Sequence, residues 1–168
     1  MNRWLRLLRH RWLDEDDARR TLGAGALERI EQRVRDSERG HDGEIRVCVE
    51  AGLPLSYLWR GLSARDRALT LFGKLRVWDT ERNNGVLIYL LLAEHRIEIV
   101  ADRALSRQVD AATWQRIVDA MGASFRAGRF EEGLNAAIDA VDGLLRQHFP
   151  LTPGGVSPNE LPDAPLLG

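Results

Sequence analysis

The side chains best suited to chemistry are carboxylates and amides at the two ends of an apolar stretch. Asp79, Asn83 and Asn84 come just before the apolar run "VLIYLLL", and Asp102 follows the next apolar segment. If the two segments form a hairpin, the start of one strand lies beside the end of the other. Carboxylate and amide oxygens are the ligands that calcium and magnesium prefer, so these four residues are candidate ligands of a weakly bound Ca²⁺ or Mg²⁺.

Two functions remain open for this polar junction. In the first, the residues only turn the chain, with Asn84–Gly85 supplying positive φ angles. In the second, a cation held near Asp79 and Asp102 activates water for hydrolysis of a phosphoester, and Arg82 or Arg103 holds the phosphate. No general base and no activated nucleophile can be named, which favours a protein without catalytic activity.

Other reactive groups exclude several functional classes. Cys48 is the only cysteine, which rules out an internal disulfide and thiolate-rich metal sites. No serine lies in a glycine-flanked nucleophile motif, and no glycine-rich phosphate loop links a strand to a helix. The formal net charge is −1, so no overall positive field attracts nucleic acid. The four histidines are scattered singly: His10, His41, His95 and His148.

The elements that position the polar junction follow from hydrophobic periodicity. Residues 44–50 alternate apolar and polar side chains, which predicts a strand, and residues 86–92 form a buried strand of almost continuous apolar character. A short link joins this run to a third strand at 97–101, so the two form an antiparallel hairpin. Because a helix lies between the first two strands, we expect those to be parallel.

Helices are predicted over 24–39, from Ser63 to about 75, from Asp110 to Gly128 and over 130–148. The buried face of the second is expected to contain Ala68, Leu69, Phe72 and Leu75. Residues 51–62 contain Pro54 and two glycines and are predicted to form an apolar loop. The whole pattern predicts an α/β fold, a three-layer α/β/α sandwich with a small mixed sheet and helices on both faces.

Two segments outside the core pattern are candidate contact surfaces. The first, at the amino terminus, places tryptophan and leucine at helical spacing among arginines, which is the composition of a basic amphipathic helix at an anionic membrane. The alternative is that this helix packs on the domain itself. The second is the apolar loop, with Tyr57 and Trp59. The membrane or partner residues of the first segment are Trp4, Leu5, Arg6, Leu8, Arg9 and Trp12.

The chain resembles the TPM-domain family over about residues 25–147. The resemblance is carried by "NNGVLIYLLL", "HRIEIVADRAL" and "FRAGRFEEGLNAAIDAV", and by the spacing between them. It implies an α/β/α sandwich, a divalent-cation site in an acidic loop cluster, phosphatase-like activity in some members and a role in the maintenance of membrane complexes.

The chain departs from the family pattern at the positions expected to bind the cation. Asp79 matches an acidic position of the loop, but Asn83 replaces a second acidic residue. Residues 102–106 replace a segment that usually supplies two glycines and a glutamate, and Arg129 replaces an aspartate. Calcium affinity depends on ligand charge and number, so these changes predict weak binding or none.

Three segments are therefore expected: a basic amphipathic helix at 1–20, a TPM-like α/β domain at 21–149 and a proline-rich tail at 150–168, pinned in part by Leu161, Leu166 and Leu167. No apolar run approaches the length of about 18 residues needed to span a bilayer, and no secretory signal is evident. The expected function is a non-catalytic accessory domain in the cytoplasm, on the inner face of the membrane or in a membrane-associated complex. Its expected partners are a protein, an anionic membrane surface or both.

Overall fold

The computed structural model describes residues 10, 15–152, 155 and 159–168. Its helices are α1 (Glu15–Leu22), α2 (Ala26–Glu38), α3 (Leu55–Arg60), α4 (Ala64–Lys74), α5 (Arg103–Ser106), α6 (Ala111–Arg126) and α7 (Phe130–His148). Its strands are β1 (Ile45–Glu50), β2 (Val86–Leu91), β3 (Arg96–Ala101) and β4 (Leu166–Leu167), and a turn of 3₁₀ helix at Leu92–Glu94 joins β2 to β3.

The strands form one mixed sheet in the order β3-β2-β1-β4. β1 and β2 are parallel and in register from Ile45 opposite Val86 onward, as the intervening helices predict. β2 and β3 form the predicted antiparallel hairpin, with Val86 opposite Ala101. The predicted α/β fold with a small mixed sheet is confirmed.

Each face of the sheet has its own apolar core. Helices α1, α2, α6 and α7 cover one face, where Ile45, Ile88 and Ile99 of the strands join the core. Helices α3 and α4 cover the other, where Cys48, Leu87 and Tyr89 are buried. All six residues of β2 are buried, which explains why its sequence is a continuous apolar run and not an alternating one.

The structure corrects two predictions on the α3–α4 side. Residues 51–62 are not a loop throughout, because Leu55–Arg60 is helical. Pro54 precedes this helix and Gly61 ends it with φ of 70°, so the residues interpreted as loop formers are its end signals. In α4 the buried residues are Ala64, Ala68 and Leu71, whereas Leu69 is 49% exposed. The capping box of Ser63 and Asp66 is present as predicted.

The two ends of the chain both contact the sheet. His10 is buried, its Nδ1 accepts a hydrogen bond from the Leu53 N–H (2.9 Å), and its Nε2 lies 3.1 Å from Glu94 Oε1. Helix α1 crosses the boundary predicted between residues 20 and 21, with Leu22 in the core. The tail adds β4 parallel to β1, and Leu161 is buried. None of the helices in the described part of the chain has the length and apolar character to cross a bilayer.

Candidate functional site

The polar junction lies where β2 begins and β3 ends. The Asp102 N–H donates to the Gly85 carbonyl (2.8 Å), and the Ala104 N–H donates to the Asn83 carbonyl (3.1 Å). The hairpin therefore brings the residues before β2 against those after β3. This is the geometry that the sequence predicted for Asn83, Asn84 and Asp102.

Asn83 makes the turn and holds an arginine. Its φ of 52° is in the left-handed region, which asparagine tolerates better than most residues. The predicted source of positive φ, Asn84–Gly85, is wrong, because neither residue adopts it. Gly85 is required for space instead: a Cβ there would lie 2.0 Å from the Val77 carbonyl oxygen. The Asn83 Oδ1 accepts hydrogen bonds from Arg103 Nη2 (3.1 Å) and Nε (3.3 Å).

Asn84 and Asp102 are buried, and each keeps one oxygen without a hydrogen-bond partner. Asn84 donates from Nδ2 to the Asp42 carbonyl (2.6 Å), while its Oδ1 is unpaired. Asp102 accepts the Arg103 N–H at Oδ1 (2.6 Å) and so caps α5, while its Oδ2 is unpaired. Buried polar atoms are normally satisfied, so two unpaired acceptors at one junction mark it as a place where a donor or cation would be stabilised.

Asp79 is separate from these three residues. Its carboxylate is half exposed and pairs with Arg76 at 3.8 Å. In the described part of the chain no hydrogen bond joins Asp79 to Asn83, Asn84 or Asp102. The structure thus assembles three of the four proposed ligands.

The assembled residues fit a divalent cation poorly. Only one of them, Asp102, is an acidic residue, and the Arg103 guanidinium donates to the Asn83 Oδ1 and lies 4.0 Å from Asp102 Oδ1. A cation entering here would have to displace a positive side chain. Across the residues that the structure describes, no group of three or more His, Cys, Asp or Glu side chains is arranged to hold a metal ion.

A serine, a histidine and an aspartate meet elsewhere, between α2 and α7, in a cluster that sequence pattern does not predict. The Ser37 Oγ donates to Asp142 Oδ1 (2.8 Å) and lies 2.9 Å from His41 Nε2. The His41 Nδ1 accepts the Gly43 N–H, so its proton is on Nε2 and points toward Ser37. Burial lowers the pKa of His41 to about 4. A general base would have to accept the serine proton, so this network supports the fold and does not activate Ser37.

A second cluster, made of the buried Glu44 and Asp163 and the half-buried Glu38, attaches the tail and was also not predicted. Glu44 Oε2 accepts the Leu161 N–H (3.1 Å), and Asp163 pairs with Arg35 at 3.2 Å. Glu38 accepts the Ile45 N–H (3.0 Å) and lines the same small cavity of about 310 Å³ as Glu44 and Asp163. Burial raises the pKa of Glu38 to about 8 and that of Glu44 to about 7, and neighbouring carboxylates add to both shifts. These residues are far apart in sequence, which is why periodicity could not reveal them.

The large apolar side chains that are exposed among the described residues lie in α3, in α4 or in the residues just after α4, which together form the α3–α4 layer. Trp59 is 64% exposed, as expected for a contact residue, but Tyr57 packs against the domain, donating to Thr70 Oγ1 (2.7 Å) beneath the Arg67 guanidinium. Leu55, Leu69 and Trp78 complete this exposed set. The other predicted contact residues lie outside the described part of the chain: Trp4, Leu5, Arg6, Leu8, Arg9 and Trp12.

Comparison with known proteins agrees with this architecture. One similar solved structure is the solution structure of the BA42 protein from the psychrophilic bacterium Bizionia argentinensis, whose sequence is 28% identical to this chain. The match covers 87% of this chain and 94% of the BA42 chain, with a TM-score of 0.75. The N-terminal domain of a protein from P. gingivalis is 23% identical, covers 79% of this chain and 83% of its own, and shares the fold with a TM-score of 0.62. No curated protein matches the chain. The family model of the TPM domain matches residues 16–144, and the chain therefore belongs to the TPM-domain family.

Proposed function

We propose that this chain is a non-catalytic accessory domain that docks on an anionic membrane surface through its α3–α4 layer. The observation that carries the proposal is the position of the exposed apolar side chains. Leu55 is 58%, Trp59 64%, Leu69 49% and Trp78 47% exposed, and all four lie in or just after α3 and α4. Tryptophan and leucine are the side chains that enter the boundary between lipid headgroups and acyl chains.

The charge of the same segment favours an anionic surface. Between Leu55 and Trp78 the only acidic residue is Asp66, which is engaged in capping α4 with Ser63. The basic residues of this segment are Arg60, Arg65, Arg67, Lys74 and Arg76. Arg67 pairs with the buried Glu50, Arg65 with Glu98 (3.8 Å) and Arg76 with Asp79 (3.8 Å). Arg60 and Lys74 have no ion pair with a described residue, and they contribute most to the surface charge. Each basic side chain near an anionic leaflet adds about 1 kcal/mol of attraction.

The segment at residues 1–13 enters the proposal as a second contact. Like the α3–α4 layer, this segment combines arginine with tryptophan and leucine. Two weak membrane contacts on one molecule bind more tightly than either alone, because the first raises the effective concentration of the second. A protein partner that buries the same tryptophans is the competing occupant of this surface, and the vesicle experiment distinguishes the two.

The experiment is co-sedimentation of the full chain with vesicles of phosphatidylcholine alone or mixed with phosphatidylglycerol. We expect binding to the anionic vesicles that weakens as salt is raised. A Leu69→Gln/Trp78→Gln double variant and a Lys74→Glu variant should bind less, while Arg116→Glu, on α6 across the sheet, is the matched charge control. Arg6→Glu/Arg9→Glu measures the contribution of the amino-terminal segment.

Two results would remove the membrane proposal. One is equal sedimentation with neutral and anionic vesicles. The other is an unchanged affinity of the Leu69→Gln/Trp78→Gln variant when its circular dichroism matches that of the parent. Binding lost to the same degree in Lys74→Glu and Arg116→Glu would point to the whole molecule's charge and not to this layer.

A second candidate function is weak binding of a divalent cation with phosphatase-like activity. It is favoured by the unpaired, buried Asn84 Oδ1 and Asp102 Oδ2 and opposed by Arg103. Isothermal calorimetry with calcium, magnesium and manganese at millimolar concentrations decides it. Heat that Asp102→Asn abolishes would support the candidate, and no heat with any of the three ions would end it.

A further inference from the structure

The two edges of the sheet differ in whether a further segment of the described chain pairs with them. At one edge, the tail adds β4 to β1, with the Gly168 N–H donating to the Val49 carbonyl (3.0 Å) and the Ala51 N–H to the Gly168 carbonyl (2.8 Å). At the other, β3 pairs only with β2, and no further strand of the described residues follows it. An uncovered edge presents main-chain donors and acceptors to any extended segment.

The direction of the β3 peptide groups can be read from their neighbours. The Asp102 N–H donates to the Gly85 carbonyl. The main-chain N–H and C=O groups of the even-numbered residues of β3 therefore point toward β2. The main-chain groups of the odd-numbered residues point away from the sheet. Two of their carbonyls already have donors: Arg65 Nη1 donates to the Ile99 carbonyl (2.6 Å), and Ser106 Oγ donates to the Ala101 carbonyl (2.9 Å). The N–H and C=O of Ile97 and the N–H of Ile99 point the same way, and the described residues offer them no hydrogen bond.

A groove of about 730 Å³ runs along this edge. One wall is β3 itself, and the other is α6, where Trp114, Val118 and Gly122 follow one another at intervals of four residues on one face of the helix. A strand edge that faces a helix across a groove is an arrangement that recognises extended peptides, because the edge pairs with the peptide backbone while the helix side receives alternate side chains.

One end of the groove is basic. The His95 ring contacts the Phe130 ring at 5.4 Å, which places the start of β3 beside the turn between α6 and α7. Arg96, at the start of β3, and Arg126, in the last turn of α6, both line the groove. Arg96 pairs with Glu98 (3.4 Å), whereas Arg126 has no ion pair with any described residue. A carboxylate brought to this end would be stabilised by Arg126, the guanidinium group here that has no ion pair.

We infer that the groove between β3 and α6 binds an extended peptide segment of a partner protein, which adds as a fifth strand to β3. The segment places alternate apolar side chains against Trp114 and Val118 and an acidic side chain or a terminal carboxylate beside Arg126. Its backbone pairs with the N–H and C=O of Ile97 and with the N–H of Ile99, because the Ile99 carbonyl already accepts from Arg65. This surface is separate from the exposed apolar residues of α3 and α4, so its test does not depend on the membrane proposal.

The competing explanation is that Arg65, Arg96 and Ser106 only protect the edge from aggregation, as charged side chains do on many edge strands. The experiment is selection from a phage-displayed library of random dodecapeptides on the immobilised full chain, followed by synthesis of the enriched peptides with a fluorescent label. We expect enriched peptides with apolar residues at alternate positions and an acidic residue or carboxyl terminus near one end.

Three measurements on the enriched peptides decide between the explanations. Arg126→Glu should weaken binding by about tenfold or more, equivalent to about 1.4 kcal/mol, whereas Arg116→Glu on the same helix outside the groove should not. Val118→Glu should also weaken binding, and circular dichroism verifies that each variant folds. N-methylation of one alternating set of peptide nitrogens should abolish binding, and methylation of the other set should not, because only one set faces the strand.

The inference is overturned if the library yields no peptide enriched over an unrelated protein. It is equally overturned if Arg126→Glu and Val118→Glu bind the enriched peptides like the parent chain, or if both N-methylated sets bind equally well. Chemical-shift changes confined to the amides of Ile97, Ile99 and α6 on addition of the peptide would place it in the groove.

Discussion

Gly85 lies where the backbone before β2 passes directly against Val77. A Cβ at Gly85 would be 2.0 Å from the Val77 carbonyl oxygen, which is a backbone atom and not the flexible end of a side chain. Gly73, in the exposed part of α4, has no atom within 4 Å of the equivalent position. Substitution by alanine therefore tests a steric clash at Gly85 and helix propensity alone at Gly73.

We predict that Gly85→Ala lowers the free energy of unfolding by about 3 kcal/mol, as expected when a tightly packed site is overfilled. Gly73→Ala, by contrast, should leave stability unchanged or raise it by up to about 1 kcal/mol, because alanine is the better helix former. Urea denaturation followed by circular dichroism measures both changes. Equal stability of Gly85→Ala and the parent would show that the loop before β2 is not held against Val77.

The half-buried Glu38 and the buried Glu44, both beside the tail, give the protein a pH dependence. Their raised pKa values, about 8 and about 7, mean that the folded chain keeps protons that the unfolded chain has released. The groups around them are Asp163 and Glu160 of the tail, with Arg35 nearby on α2. Where the native state binds more protons, stability falls as pH rises. His41 has the opposite effect, but only below its ordinary value of 6.5.

We predict that the free energy of unfolding decreases between about pH 6.5 and pH 8, the window in which both glutamates titrate and His41 does not. Glu38→Gln should make this slope shallower, because glutamine keeps a carbonyl acceptor for the Ile45 N–H and has no proton to lose. Urea denaturation across this pH range measures the slope. Identical slopes for Glu38→Gln and the parent would mean that Glu38 is ionised in the folded chain.

At the scale of elements, the parts that could be predicted are those with a local signal. Continuous apolar sequence marked β2, the short link after it marked the hairpin, and Ser63 with Asp66 marked the start of α4. Helix α3 was missed because Pro54 and Gly61 were interpreted as loop residues, although they are its two ends. Strand β4 could not be foreseen, since its two residues pair with Cys48 and Val49 through main-chain contacts that sequence pattern does not encode.

The candidate site follows the same division. The meeting of Asn83, Asn84 and Asp102 follows from hairpin geometry alone, so the sequence could predict it. The bond between Arg103 and Asn83, and the exposure of Leu69, depend on side-chain direction, which periodicity does not give. The cluster of Ser37 with Asp142, and that of Glu44 with the tail, join residues more than 100 positions apart and have no local signature.

The tail strand depends on one buried arginine. Arg46 Nη1 donates to the carbonyls of Pro162 and Ala164, and its side chain is buried on β1. Arg35 also reaches the tail, through Asp163, but its side chain is 46% exposed and shared with Glu31. Hydrogen bonds from a buried charged group are worth more than an exposed ion pair.

We predict that Arg46→Met costs about 1.5–3 kcal/mol and accelerates hydrogen exchange at the amides of Ala51 and Gly168, which pair β1 with the tail. Arg35→Met, the matched control, should cost less than about 1 kcal/mol. Hydrogen exchange read by NMR measures the local effect and urea denaturation the global one. Unchanged exchange at both amides in Arg46→Met would contradict this account of the tail.

At the scale of the whole molecule, the sandwich has two unlike faces. The α1, α2, α6 and α7 side has no large apolar side chain that is exposed among the described residues, and several of its surface charges are paired, as in Arg33 with Asp139 and Arg29 with Glu131. The α3–α4 side exposes Leu69 and Trp78 and carries an excess of basic residues. Our membrane proposal therefore predicts one preferred orientation at an anionic surface, with the α3–α4 side toward the lipid.

The measurement that tests this orientation most directly is paramagnetic broadening of NMR signals of the full chain on anionic bicelles that contain a spin-labelled lipid. The Leu69 methyl groups and the Trp78 indole should broaden strongly as the chain binds, while the Val118 methyl groups, on the far side of the sheet, should keep their intensity. Broadening that is uniform over the molecule, or that is strongest at Val118, would contradict the claim that the α3–α4 layer is the membrane-facing surface.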